Sequence, residues 1–339
     1  MKYIGLDIHP STTTFVVMDQ NAVILKNYTI ETNGRLIVNA INQIQGPKKI
    51  AFEECELSHW FFSILEKHVD NLIVCNPVAN MQFKSKKTDQ IDAKKIANLL
   101  RGGFLQSVYH DNSDRSKYRL LMSAYEDLVQ DLVRVKCRYK SLFRKFGKNI
   151  TTKKIYKEKE FLKLIRRKDF GFIGKNILDS ISFLEQKKQI FTEKIIKENK
   201  KFKEIKFLKT IPGIKDIQAA KIVSQVITPY RFKNRYKFFA YCGLIRYTQS
   251  SAGKNHGSIK VRGNEILKTV YKMAARNAIK GDNAIKLYYE HKKKSGMSPD
   301  KAYNQICRKI AILSLRLWKE NIEYSNKEFL KNCLKENIQ

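Results

Sequence analysis

The 339-residue chain is short of the features that mark several large protein classes. Its six cysteines (Cys55, Cys75, Cys137, Cys242, Cys307, Cys333) stand singly with no CxxC pair, which argues against a zinc ribbon and a disulfide framework. No uncharged run approaches the roughly 20 residues of a membrane span. The N-terminus, MKYIGLDIHP, lacks a signal-peptide apolar core, so a reduced, cytoplasmic location is expected. Proline is absent from Val78 to Ile211, which fits long uninterrupted helices, because an interior proline removes a backbone bond and clashes with the preceding turn. Acidic residues are scarce: 32 Asp and Glu stand against 66 Lys and Arg, a formal net charge of +34. Such a field repels itself, and a polyanion is the partner that relieves it best. An apolar content of 43% is enough for real cores and excludes wholesale disorder.

The pattern along the chain predicts an α/β segment followed by helices. Tyr3–Ile8 and Thr13–Met18 read as neighbouring strands, and Asp19-Gln20-Asn21 as a turn into a third strand from Val23 to Thr29. A helical period runs from Leu36 to Ile44, then a buried strand Lys49–Glu53, an apolar helical face at Trp60, Phe61, Phe62 and Leu65, and a strand Leu72–Asn76. This order predicts a mixed sheet packed between helices. Apolar positions at Leu121, Ala124, Leu128, Leu132 and Val135, and again from Ile177 to Ile195, predict a long helical or coiled-coil stalk, antiparallel or dimer-forming, or else a plain helical bundle within one monomer, with a basic connection over 145–168. Domains are expected at 1–110, 111–206 and 207–330. Near the start of the last, Ile211-Pro212-Gly213-Ile214 opens a helical stretch like the hairpin of a helix-hairpin-helix element. Gly213 and Lys215 are its candidate contacts to a nucleic-acid backbone.

Four acids draw attention by position. Asp7 interrupts an apolar strand, a costly place for a carboxylate unless it is solvated or binds a cation. Glu53 ends the next buried strand, with Glu54 and Glu56 as competitors for its role. Asp89 and Asp92, three apart at the start of a helix, share one helical face. Oxygen ligands of this kind suit Mg²⁺ or Mn²⁺, although acids in a first helical turn also serve the helix dipole. Farther on, Ser250 and Ser251 lie in a small, glycine-flanked polar stretch beside Lys254, Lys260 and Arg262, cations suited to phosphate; composition alone favours an ordinary Ser/Gly-rich loop. A serine needs its proton removed or its oxyanion stabilised before it attacks. The six histidines show no metal-ligand spacing; His9 and His256 are placed to assist.

Taken in order, Gly5-Leu6-Asp7-Ile8-His9, Phe52-Glu53, Asn76-Pro77, Lys87-Thr88-Asp89 with Asp92-Ala93, Ile211-Pro212-Gly213-Ile214, Ala240-Tyr241-Cys242-Gly243-Leu244, Ser251-Ala252-Gly253-Lys254 and Gly263-Asn264 resemble the DEDD transposases of bacterial insertion sequences. This is the IS-one-ten type, to which the Piv DNA invertases are related. The resemblance implies an RNase H-like N-terminal domain of the Holliday-junction-resolvase type, whose acids map to Asp7, Glu53, Asp89 and Asp92 and hold divalent metal. It implies a helical C-terminal domain with a catalytic serine at Ser251, Ser250 being adjacent. It also implies one composite site built from both domains, in a homo-oligomer (dimer or tetramer), and a non-coding guide RNA that selects donor and target DNA. The chain departs from the family at Glu54-Cys55-Glu56-Leu57-Ser58, where small residues and a glycine are usual, and at Arg246, in place of a proline. Two other readings stand beside it: a metal-dependent junction resolvase or nuclease in which the serine is incidental, and a non-catalytic nucleic-acid-binding protein.

Overall fold

A computed structural model describes residues 1–78, 88–156, 159–251 and 254–335. Two compact units emerge, Met1–Ser116 and Lys117–Gln339. Among the described residues no helix is long and apolar enough to cross a membrane.

In the first unit, β1 (Lys2–Ile8), β2 (Thr12–Met18) and β3 (Ile24–Glu31) form an antiparallel meander, followed by α1 (Gly34–Asn42). Then come β4 (Lys48–Glu53), α2 (Ser58–Leu65), β5 (Asn71–Cys75), α3 (Asp89–Gly102) and the two-residue β6 (Ser107–Val108). The sheet order is β3-β2-β1-β4-β5-β6, with β1, β4 and β5 parallel. Pleat parity divides its core. Ile4, Leu6, Phe15, Val17, Ile50, Phe52 and Val74 face one side, where Ile37, Ile41, Phe61 and Leu65 of α1 and α2 cover them. Val16, Met18 and Ala51 face the other side, under Ala93, Ile96, Ala97 and Leu100 of α3. Gly5 makes that second packing possible: a Cβ there would lie 2.1 Å from the Ala93 carbonyl oxygen and 2.5 Å from the Ala97 amide nitrogen.

The second unit is almost wholly helical. Its α4 (Asp114–Arg144) and α5 (Lys168–Asn199) run antiparallel, joined near one end by the Tyr118 hydroxyl donating to Asn199 Oδ1 at 2.9 Å, midway by Lys136 to Glu185, and at the far end by Phe143 against Phe170. Of the apolar positions in these two stretches, Leu132, Ile181 and Ile195 are buried, most others are half-buried and Ala124 is exposed. Residues 145–168, expected as a basic connection, contain short 3-10 turns that bury Ile155 and Ile165 against Tyr139, Phe143 and Phe170. Isolated apolar residues among lysines give no period, and this core was therefore hidden in the sequence. Next come α6 (Lys203–Lys209), α7 (Asp216–Val226), α8 (Arg235–Tyr241), a hairpin of β7 (Arg246–Ser251) and β8 (Lys254–Lys260), α9 (Glu265–Ala278), α10 (Ala284–Lys294), α11 (Pro299–Glu320) and α12 (Asn326–Lys335). One core joins these helices around Tyr271, Ala274, Ile306 and Ile310. The serine stretch read as an ordinary loop instead forms the strands of this hairpin up to Ser251 and from Lys254, and polar residues on both faces left no alternation to read.

Candidate functional site

Asp7 is held on the α3 side of the sheet by the same parity as Gly5, one turn from the N-terminus of α3. Thr88 caps that helix, its hydroxyl accepting from the Ile91 amide, and the first turn carries Asp89 and Asp92. The small residues Ala93 and Ala97 let α3 descend onto Gly5 and bring its acids down to Asp7. Immediately after β1, the His9 backbone amide donates a hydrogen bond to the Thr12 carbonyl at 2.9 Å, and its carbonyl accepts one from the Thr32 hydroxyl at 2.7 Å. Its Nε2 lies 3.3 Å from Asp7 and 3.7 Å from Asp89. Asp7, His9 and Asp89 each place a ligand atom within 4.8 Å of the other two. Burial, and then the charges of Asp89 and Asp92, push the Asp7 carboxyl above the usual carboxylate range, while His9 partly opposes them. A carboxylate held this way is better satisfied by a cation, and the oxygen-rich donor set fits a hard divalent ion.

The other acids separate by strand geometry. The register pairs Gly5 with Ala51 and Leu6 with Phe52, so Glu53 takes the next position, beside Asp7 and on the same face as Ala51. It does not belong to the 4.8 Å cluster among the described residues. Glu54 has the opposite parity, its carboxylate accepting from His110 Nε2 at 2.8 Å beside the Phe62 ring. Glu56 lies past the strand, exposed. The His9 contacts were available in the sequence as an i, i+2 neighbour of Asp7; the Glu54–His110 pair, 56 residues apart, left no such signal.

Ser251 is exposed at the end of β7, paired in register with Lys254. Ala252 and Gly253 of the sequence motif lie outside the described residues, as does Lys87. Ser250 pairs through its backbone with Asn255. Lys254, Lys260 and Arg262 are all exposed on the hairpin and just beyond it. The base of the hairpin is fixed by two glycines: Gly243 turns the chain at φ +61° after α8, and a Cβ on Gly263 would lie 2.3 Å from the Gly243 amide nitrogen. Asn264 then caps α9, accepting from the Leu267 amide and donating to Gln225 at 2.8 Å. In the helical hairpin, Gly213 has φ +89°, and a Cβ there would lie 2.2 Å from the Ala274 carbonyl oxygen, so its small size serves packing on α9. Lys215 is exposed at the start of α7, where Gln218 accepts from its backbone amide.

The described residues thus hold a carboxylate cluster at the head of a mixed sheet and an exposed serine on a cationic hairpin. Residues 4–147 match the family model of the DEDD transposases of the IS110 type, described as "Transposase". Residues 205–290 match the model described as "Transposase IS116/IS110/IS902 family". The chain belongs to this IS110 family of transposases. It is also 24% identical over 240 residues to a protein named "Putative transposase y4pF/y4sB" from Sinorhizobium fredii, a match covering 69% of this chain and 62% of that relative's length.

Proposed function

We propose that the chain is the DNA transposase of an insertion sequence, a recombinase that cuts and rejoins DNA with the acidic cluster and Ser251. The observation that carries this reading is the convergence of Asp7, His9 and Asp89, with the charge of Asp92 also acting on Asp7, at one cation-hungry point of a sheet ordered β3-β2-β1-β4-β5-β6, an arrangement in keeping with an RNase H-like domain. Asp7, Asp89 and Asp92, with Glu53 on the neighbouring strand and His9 beside them, would hold Mg²⁺ or Mn²⁺. Bound there, the ion supplies Lewis-acid polarisation of a phosphodiester oxygen.

The chain's own residues do the rest. The Ser251 Oγ–phosphorus bond forms as a phosphorus–oxygen bond to one deoxyribose breaks. The serine proton ends on the departing sugar oxygen, and a free hydroxyl of the recombining strand later reverses the exchange. One phosphodiester is traded for another, so no external energy source is needed. Lys254, Lys260 and Arg262 screen the phosphates on either side. The acids and the serine act on the same phosphodiester within a homo-oligomer, and a guide RNA selects donor and target DNA; support for these points is the family membership and a net charge of +34 that suits two polyanions.

The test is excision from a donor plasmid carrying the element's ends and flanking non-coding sequence. Excision is expected with Mg²⁺ or Mn²⁺, none in EDTA, and a loss of at least about a thousandfold for Ser251→Ala, equivalent to about 4 kcal/mol of barrier. Undiminished excision by Ser251→Ala with metal still required would favour the resolvase reading, and excision in EDTA would overturn the metal site.

A further inference from the structure

We infer that the second unit grips an unpaired nucleic-acid segment in a two-part cationic cleft, with phosphates between the hairpin base, α9 and α11 and an unstacked base on Tyr236. The inference rests on the chain acting on nucleic acid, but not on its serine or metal chemistry.

The first part is a cavity of about 380 Å³ whose walls are three pairs of residues. Arg246 and Lys260 face each other across the hairpin base. Lys268 and Lys272 sit one turn apart on α9, and Asn304 and Arg308 one turn apart on α11. The floor is the Gly243-Leu244-Ile245 turn, whose Leu244 carbonyl accepts from Arg308 at 3.5 Å and so fixes the guanidinium at the rim. Five cations and, among the described residues, no carboxylate line this cavity; Glu265, outside the lining, pairs with Lys268 at 2.8 Å. With Lys268 paired to Glu265, four positive side chains still repel one another around one concave space, and a run of phosphates is a ligand that neutralises them.

The second part is a smaller cavity of about 230 Å³ that shares Arg308 and continues past Lys309 to Arg235, Tyr236 and Phe239. Tyr236 is 59% exposed although it is large and flat, with the Arg235 guanidinium over its ring, 5.2 Å from the centroid. Phe239 meets it edge-on at 6.4 Å. A stiff aromatic face beside a phosphate track is what an extruded base stacks on, whereas a duplex keeps its bases stacked on one another and offers the cleft only backbone. Basic groove and aromatic platform together therefore select an unpaired strand. Ribose and deoxyribose strands share this chemistry.

The experiment measures binding of fluorescent 20-nucleotide single-stranded DNA, single-stranded RNA and duplex DNA by anisotropy, with the full chain in EDTA over a range of salt. Tyr236→Ala should weaken both single strands roughly tenfold while leaving the duplex within about twofold, and Tyr236→Phe should bind like the wild type. Lys272→Glu, at an exposed position, should weaken all three and lower the slope of log K against log salt by about one or more. Loss confined to RNA or to DNA would assign the strand that occupies the cleft. Tyr236→Ala binding with wild-type affinity, or losing duplex and single strand alike, would overturn the inference and leave the recombinase reading standing. A wild-type chain that binds none of the three would defeat both.

Discussion

Asp7→Asn should abolish metal-dependent strand cleavage, by at least about a thousandfold, without lowering the melting temperature of the metal-free protein. The two halves of that expectation have one cause. In the folded chain the Asp7 carboxyl is raised above its unfolded value, first by burial and then by Asp89 and Asp92. A raised acid favours the folded state only while it is protonated. As pH rises through the interval between the unfolded and folded values, the folded state loses that advantage, and above it the ionised group is a standing cost. Asparagine keeps the shape and removes the charge, so in EDTA near neutral pH the variant should melt at or above the wild type. Millimolar Mg²⁺ should raise the melting temperature of the wild type and not that of the variant. A variant that melts well below the wild type in EDTA and still responds to Mg²⁺ would show that Asp7 is structural.

Gly5→Ala should be the most damaging single-methyl change in the first unit. The added Cβ meets backbone at 2.1 Å and 2.5 Å, not a side chain that can rotate away, so α3 must lift off β1. The expected cost is about 3 kcal/mol or more, a fall in melting temperature of roughly 10 °C or more for a unit of this size. Because Asp89 and Asp92 ride on the first turn of α3, the Mg²⁺-dependent rise in melting temperature should shrink as well. A melting temperature within about 2 °C of the wild type would mean that the close approach of helix and strand is not what positions the acids.

Much of the first unit was legible because each strand has one or two faces to bury. The alternation in Tyr3–Ile8 and the apolar run Lys49–Glu53 marked β1 and β4 within a residue of their ends. Asp7 stood out because a carboxylate in such a strand needs a reason. The spacing of Asp89 and Asp92 placed both on one face of α3. What sequence could not supply was the relation between strands: only the register shows Glu53 beside Asp7 and turns Glu54 toward His110. In the second unit α4 and α5 announced themselves by period and parts of α7 and α9 were legible, but α6, α8 and α10 to α12 were not, nor was the hairpin, since nearly all its described residues face solvent. The cationic cleft was equally hidden, because Arg246, Lys268 and Arg308 come from three elements that meet only in the fold.

The central claim, that Ser251 forms the bond to DNA, is tested most directly by stopping an excision reaction in denaturant and digesting the protein for mass analysis. The account predicts a nucleotide-bearing peptide with the phosphoryl group on Ser251, absent in EDTA and absent in Ser251→Ala. Recombined DNA with every peptide covering Ser251 unmodified, and with Ser251→Ala as active as the wild type, would contradict it.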